Sequence, residues 1–267
     1  MAETFWPSRE FITDWGQFSS RVRSRGCQLL KRLDDFPNSI LVAGCQRSGT
    51  TILSRILTQS DGMTNYWFGP DDELDAALIL SGYVGHSPKG RYCFQTTYVN
   101  NCYREYFEHR GSYKLIWVLR NPYSVVYSLL HNWTPDALVR LFRECGAELL
   151  RGRDVILYEI FGVQGVSRIR QACYSYISKT AQVFELKRQL DPEQLMILDY
   201  DDLVTRKVTH LPAVYDFVEV EFRNDYLRKI SSESVKKARQ LPSKDTAIVR
   251  EMCDAIYQQA ASMKTIG

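Results

Sequence analysis

The sequence predicts an α/β protein built as a three-layer α/β/α sandwich around a central parallel sheet. The short, wholly apolar run at 40–43 and the predominantly apolar runs at 113–119 and 195–198 read as buried strands. Segments with apolar residues at helical spacing alternate with those runs. Strands alternating with helices imply right-handed crossovers, which put helices on both faces of the sheet.

The elements follow in order. Residues 1–37 carry Trp6, Phe11, Trp15 and Phe18, then Arg21, Arg23 and Arg25. Val22, Leu29, Leu30 and Leu33 predict one amphipathic helix that covers the main core, ended by Pro37-Asn38. After the strand at 40–43 come two glycines in residues 44–49. A helix is then expected over 50–59, with Ile52, Leu53, Ile56 and Leu57 on one face. A strand is expected at 91–96, a helix at 101–109 and a strand at 113–119. Asn121-Pro122 then starts a helix, with a capping residue type followed by proline in the first turn. A long helix is expected over 166–189, a strand at 195–198 and helical material to 218. Residues 61–90 and 133–165 are long for loops, so they are expected to be partly helical and functional.

Composition narrows the class. A chain of 267 residues is taken as one domain, with 45% apolar and 24% charged residues. Those values exclude disordered, collagenous and low-complexity chains. Lys+Arg is 34 against Asp+Glu 31, a net charge of +3, which excludes a generally basic nucleic-acid binder. The seven cysteines include no CxxC pair, so reduced thiols in the cytoplasm are expected rather than a disulfide framework or zinc site. The acidic, proline-containing start is unlike a secretory signal, and no apolar run reaches the roughly 18 residues of a membrane span.

The residues that carry chemistry lie at strand ends. Gly44-Cys45-Gln46-Arg47-Ser48-Gly49-Thr50-Thr51 joins a buried strand to an amphipathic helix. In that context successive backbone N–H groups and the helix N-terminus hold a phosphate. The spacing is that of a nucleotide P-loop, but Thr50 stands where such loops have lysine. Arg47 is the only cation in the loop. In Trp117-Val118-Leu119-Arg120-Asn121-Pro122, Arg120 ends a predicted parallel strand, where open α/β sheets bind ligands. Its fork suits a phosphate. Ser128 follows about two helical turns later.

Together these segments resemble the PAPS-dependent sulfotransferases of the small-molecule type. Gln46–Thr51 resembles their 5′-phosphosulfate loop and Arg120-Asn121-Pro122…Ser128 their 3′-phosphate motif. Leu198-Asp199-Tyr200-Asp201-Asp202-Leu203 is similar to their strand-end Tyr-Glu-Asp-Leu. The likeness spans about residues 38–220. It implies that Arg47 neutralises the phosphosulfate and the leaving bridging oxygen. Ser48, Gly49, Thr50 and Thr51 would bind the 5′-phosphate, Arg120 and Ser128 the 3′-phosphate, and Tyr200 would border the base. Ser234, Lys236, Lys237 and Arg239 are the candidates for a final basic cofactor loop; a solvated helix face is the competing reading of Lys236–Arg239. The donor would be 3′-phosphoadenosine 5′-phosphosulfate, PAPS, leaving adenosine 3′,5′-bisphosphate, with no metal. The partner would be a small-molecule acceptor, with no nucleic acid and no membrane.

The chain departs from the family where many members carry Lys-x-His. Here Phe94-Gln95-Thr96-Thr97-Tyr98 has neither residue. The candidate general bases are Glu73, Asp71 and Asp72, in that order, and then His131 or His86. The acids also suit a helix N-terminus. Trp67, Phe68, Asp71 and Thr97 are the candidate acceptor contacts, from insertions at 61–90 and 133–165. The acids and the aromatics Trp67 and Phe68 point to a cationic acceptor, such as an amine- or guanidinium-bearing natural product. Two other readings stay open: a P-loop NTPase or kinase with Asp199 as its magnesium ligand, and a non-catalytic nucleotide-binding protein.

Overall fold

The computed structural model describes residues 12–109, 113–230 and 238–266. Its sheet has four parallel strands in the order β2-β1-β3-β4. These are β1 (Ser39–Gly44), β2 (Cys93–Gln95), β3 (Tyr113–Leu119) and β4 (Leu195–Asp199). Val42 lies between Gln95 and Ile116, and Val118 pairs with Leu198. Alternation splits the apolar strand residues between two cores. Leu41, Ala43, Phe94, Leu115 and Trp117 face one, and Ile40, Val42, Cys93, Ile116 and Val118 face the other.

In chain order the helices are α1 (Trp15–Arg21), α2 (Thr50–Thr58), α3 (Asp72–Leu80), α4 (Pro122–His131) and α5 (Pro135–Leu141). They continue with α6 (Arg153–Phe161), α7 (Arg168–Gln189), α8 (Tyr200–Thr205), α9 (Lys207–Val218) and α10 (Ser243–Ala261). Several starts are fixed by short polar side chains. Asn121 accepts from Ser124 N at 2.8 Å ahead of Pro122. Asp71 accepts from Glu73 N and Leu74 N, both at 3.1 Å. A third core joins Val125, Val126 and Leu129 of α4 to Ala172 and Cys173 of α7 and Val249 of α10.

Two expectations are corrected. The described part of 1–37 is not one amphipathic helix. α1 stops at Arg21, and short 3-10 turns follow at Arg23–Arg25 and Leu33–Asp35. Gly26 at φ +108° interrupts any helix there. Leu29, Leu30 and Leu33 are nonetheless fully buried, so the segment covers the core without being helical. Trp6 and Phe11 lie outside the described residues. The reduced-thiol expectation also fails at one pair: Cys27 and Cys102 form a disulfide. It ties the N-terminal cover to the 3-10 segment Thr97–Phe107, and it removes the premise from which a reducing compartment was inferred. The other five cysteines are free and buried. Residues 61–90 and 133–165 do contain helices, α3 in the first and α5 and α6 in the second. No helix among the described residues is long and apolar enough to cross a membrane.

Candidate active site

The loop between β1 and α2 is shaped by three left-handed residues. Gly44 has φ +146°, Arg47 +71° and Gly49 +98°. A Cβ on Gly44 would meet Val118 O at 2.4 Å, and one on Gly49 would meet the Tyr200 ring at 2.3 Å. Glycine is therefore required by close approach at both ends of the loop. Ser48 Oγ and Tyr200 Oη are buried, with no hydrogen-bond partner among the described residues. A buried hydroxyl without a partner is costly, and an anion seated in the loop is a suitable acceptor.

Two arginines meet over this loop. Arg120, 3% exposed at the tip of β3, donates through Nη1 to Arg47 O at 3.3 Å. Its Nε lies 3.5 Å from Asp201 Oδ1, and its guanidinium sits 4.8 Å from the Tyr200 ring centroid. Tyr176 Oη donates to Arg120 O at 2.9 Å and fixes the strand tip. Arg47 Nε donates to Ser128 Oγ at 3.1 Å. Burial, and then the neighbouring Arg120, push the Arg47 pKa down. Two guanidinium groups crowded into one site favour a polyanion that offsets their repulsion. Arg47, Arg120, Ser128, Gly49, Thr50, Thr51 and Tyr200 all line an inner cavity of about 200 Å³.

An outer cavity of about 340 Å³ adjoins it. Gln46, Arg47, Thr51, Glu73 and Trp133 line both cavities and so mark their junction. The Glu73 carboxylate is held there by two donors. Thr97 Oγ1 donates to Oε1, and Gln95 Nε2 donates to Oε2 at 2.8 Å. Burial pushes its pKa up to about 8, against the lowering effect of the Thr97 bond. A carboxylate so poised, within reach of the cavity, is suited to accept a proton near neutral pH.

The other candidates separate from Glu73. Asp71 caps α3 and accepts from Trp15 Nε1 at 2.8 Å. Asp72 takes a two-pronged contact from Arg55, at 2.8 and 3.0 Å. Both line the outer cavity with their carboxylates already engaged. Thr97 lines the inner cavity as Glu73's donor. His131 does not join the site: it is exposed at the end of α4, 4.7 Å from the Tyr127 ring. His86 packs near Phe36 and Tyr92, away from both cavities. Trp67 and Phe68 line neither cavity; Trp67 lies under Arg55, 5.8 Å from its guanidinium, and Phe68 is 44% exposed. Ser234, Lys236 and Lys237 lie outside the described residues. Arg239 is exposed and lines neither cavity. Asp199, the candidate metal ligand, is occupied otherwise. Its Oδ1 caps α8 and its Oδ2 accepts from Tyr257 Oη at 2.7 Å.

Sequence reasoning missed Gln95, Asn100, Arg23, Trp133 and Glu144 as site residues. Gln95 was legible as a polar residue at the C-terminal end of a buried strand, where α/β sheets place their sites. The others come together only through packing. Arg23 meets Glu144 at 3.4 Å, and Asn100 Nδ2 donates to Glu144 Oε2 at 2.5 Å.

A family profile for the sulfotransferase domain matches residues 37–254. No curated protein sequence matches the chain significantly. Among solved structures, the sulfotransferase domain from the curacin biosynthetic pathway is 16% identical, with a TM-score of 0.51; the match covers 85% of this chain and 96% of that one. The mouse sulfotransferase SULT7A1, solved with PAP, is 14% identical, with a TM-score of 0.50 and coverage of 88% and 93%. At such identities the likeness is one of fold.

Proposed function

The chain belongs to the sulfotransferase family as a PAPS-dependent enzyme, and we propose that it transfers the sulfuryl group of PAPS to a hydroxyl or amine of a small molecule held in the outer cavity. The observation that carries this reading is the junction: Arg47 and Glu73 line both cavities. The inner cavity fits the nucleotide, with its glycine cradle, the unpartnered Ser48 and Tyr200 hydroxyls and two arginines. The bound donor supplies an activated sulfuryl group. Arg120 and Ser128 hold the 3′-phosphate and Ser48–Thr51 the 5′-phosphate. Tyr200 backs the loop and stacks on Arg120. Arg47 neutralises the charge that grows on the leaving side. Glu73, oriented by Thr97 and Gln95, takes the acceptor's proton on a carboxylate oxygen.

The acceptor's character follows from the outer cavity. Asp72 is neutralised by Arg55, and Asp75 accepts from Phe68 N and Gly69 N, both at 2.8 Å. Around the outer cavity the acids Asp71, Asp72, Glu73 and Glu144 are matched by Arg23, Arg47, Arg55 and Arg140. That balance supports a polar acceptor flanked by Trp15, Trp133 and Tyr98, rather than one selected for positive charge.

Calorimetry with adenosine 3′,5′-bisphosphate tests the reading. Binding is expected without magnesium, and Arg120→Met should weaken it about 100-fold, the loss of one charged contact of ~3 kcal/mol. Magnesium-dependent ATP binding with no affinity for the bisphosphate would overturn it.

A further inference from the structure

The turn from Thr97 to Asn100 is gripped from two directions. From the phosphate loop, Gln46 Nε2 donates to Thr97 O at 3.0 Å and to Asn100 Oδ1 at 2.8 Å. From α7, Lys179 Nζ donates to Thr97 O at 3.1 Å and Gln182 Nε2 to Asn100 O at 3.0 Å. Positions 179 and 182 lie one turn apart on the same helix face. The two α7 side chains do the same hydrogen-bonding work, yet one is a neutral amide and the other an ammonium.

The ammonium needs a reason. Lys179 is 1% exposed in the middle of a helix, and burying a charge is costly unless something compensates it. Among the described residues no carboxylate forms an ion pair with it. The Trp117 ring, 5.6 Å from Nζ, gives partial compensation. Burial lowers the Lys179 pKa from its ordinary value, and the groups facing it are the Cys145 and Cys45 thiols, Glu73 and Arg23. Burial raises both thiols to about 12, so they stay neutral at pH 7. Glu73 is the one carboxylate of that set, and it is linked to Lys179 through one residue: Thr97 accepts from the lysine on its carbonyl and donates to Glu73 from its hydroxyl.

We propose that Lys179 is a positioning residue for sulfuryl transfer: its buried charge, delivered through Thr97, favours the ionised form of Glu73 and keeps its carboxyl turned to the junction of the two cavities. The inference rests on the reading of Glu73 as the base. Glu73 also faces Asp71 and Asp72 on its own helix, Arg47 from the loop, and Tyr98 and Tyr106 from the 97–107 segment. The two aspartates oppose its ionisation. Lys179 is a cation on the opposite, α7 side that offsets part of their effect.

Lys179→Gln keeps a donor for Thr97 O, as Gln182 does for Asn100, and removes the charge. Lys179→Met removes both. Bound adenosine 3′,5′-bisphosphate reports that each variant is folded. In both, the acid limb of the kcat/KM profile should move up by about 1 pH unit, the lower end for losing a nearby opposite charge. The rate at pH 7 should then fall about tenfold. A 13C titration of the Glu73 carboxyl, assigned by its disappearance in Glu73→Gln, should show the same rise without relying on turnover. An unchanged Glu73 midpoint in Lys179→Gln overturns the inference, as does a shift in Lys179→Met alone. An acid limb that survives in Glu73→Gln sinks the base assignment instead, and the carboxyl titration still decides the role of Lys179.

Discussion

Apart from Glu73 and Trp133, the inner cavity takes its walls from residues at or after strand ends: Gln46, Arg47 and Gly49–Ile52 after β1, Gln95 and Thr97 at β2, Arg120 and Ser128 after β3, and Tyr200 after β4. The outer cavity draws on the N-terminal cover (Trp15, Ser19, Arg23), the start of α3 and the α5 region, segments far apart in the chain. The first is sheet-built and gathers the two arginines Arg47 and Arg120. The second is assembled by a disulfide, ion pairs and helix caps that compensate one another. Rigid strand tips suit the part of the reaction that is always the same, and adjustable segments suit the part that selects an acceptor. Glu73 belongs to both.

Glu73→Gln gives the largest expected effect and tests that shared position. The loss of a general base should lower kcat by about 10²–10⁴-fold. The affinity for adenosine 3′,5′-bisphosphate should be nearly unchanged; a large loss there would make Glu73 part of the nucleotide site alone. In the unsubstituted enzyme kcat/KM should rise with pH to about 8, as the raised carboxyl loses its proton. The same shift has a stability consequence. The folded pKa lies above the ordinary carboxyl value, so ionised Glu73 costs stability, a cost absent below about pH 4.5 and complete above about pH 8. The Tm gain of Glu73→Gln should therefore grow between those limits.

Cys27→Ser comes next and bears on the outer cavity. The disulfide closes a 75-residue separation, and its loss should cost roughly 4 kcal/mol by loop entropy. The Tm should fall, and acceptor KM should rise because Arg23 and Trp15 lose their anchor. An equal loss of nucleotide affinity would deny that the two cavities are built independently.

The smallest effect is expected from Asp72→Asn. Arg55 is half exposed, so its pair with Asp72 contributes less than about 1 kcal/mol. Acceptor KM should change by no more than about fivefold, and an acceptor that carries a cation should be affected no more than a neutral one. A selective loss for cationic acceptors would restore Asp72 to the binding surface.

Much of this was legible in the chain. Buried strands announce themselves as short apolar runs because both of their faces are covered, and β1, β3 and β4 fall where such runs stand. The Gly44–Gly49 spacing and the Asn121-Pro122 start are local rules, satisfied within a few residues. The N-terminal cover was misread because Leu29, Leu30 and Leu33 are apolar for burial rather than for helical periodicity, while Gly26 turns the chain between them and α1. The cysteine pairing was out of reach, since a contact between positions 27 and 102 leaves no local pattern.

Sequence alone determined the α/β order and the anion loop, because each depends on neighbours within one turn or one strand. Only the tertiary structure decided which of three adjacent acids reaches both cavities. A helix rotates about 100° per residue, so neighbouring positions at its start point in different directions. Asp71 is spent on the cap and Trp15, Asp72 on Arg55 of the facing helix, and Glu73 is turned to the cavity wall between Gln95 and Thr97. The partners that separate them come from α1, α2 and the β2 strand end, which meet α3 only when the chain is folded.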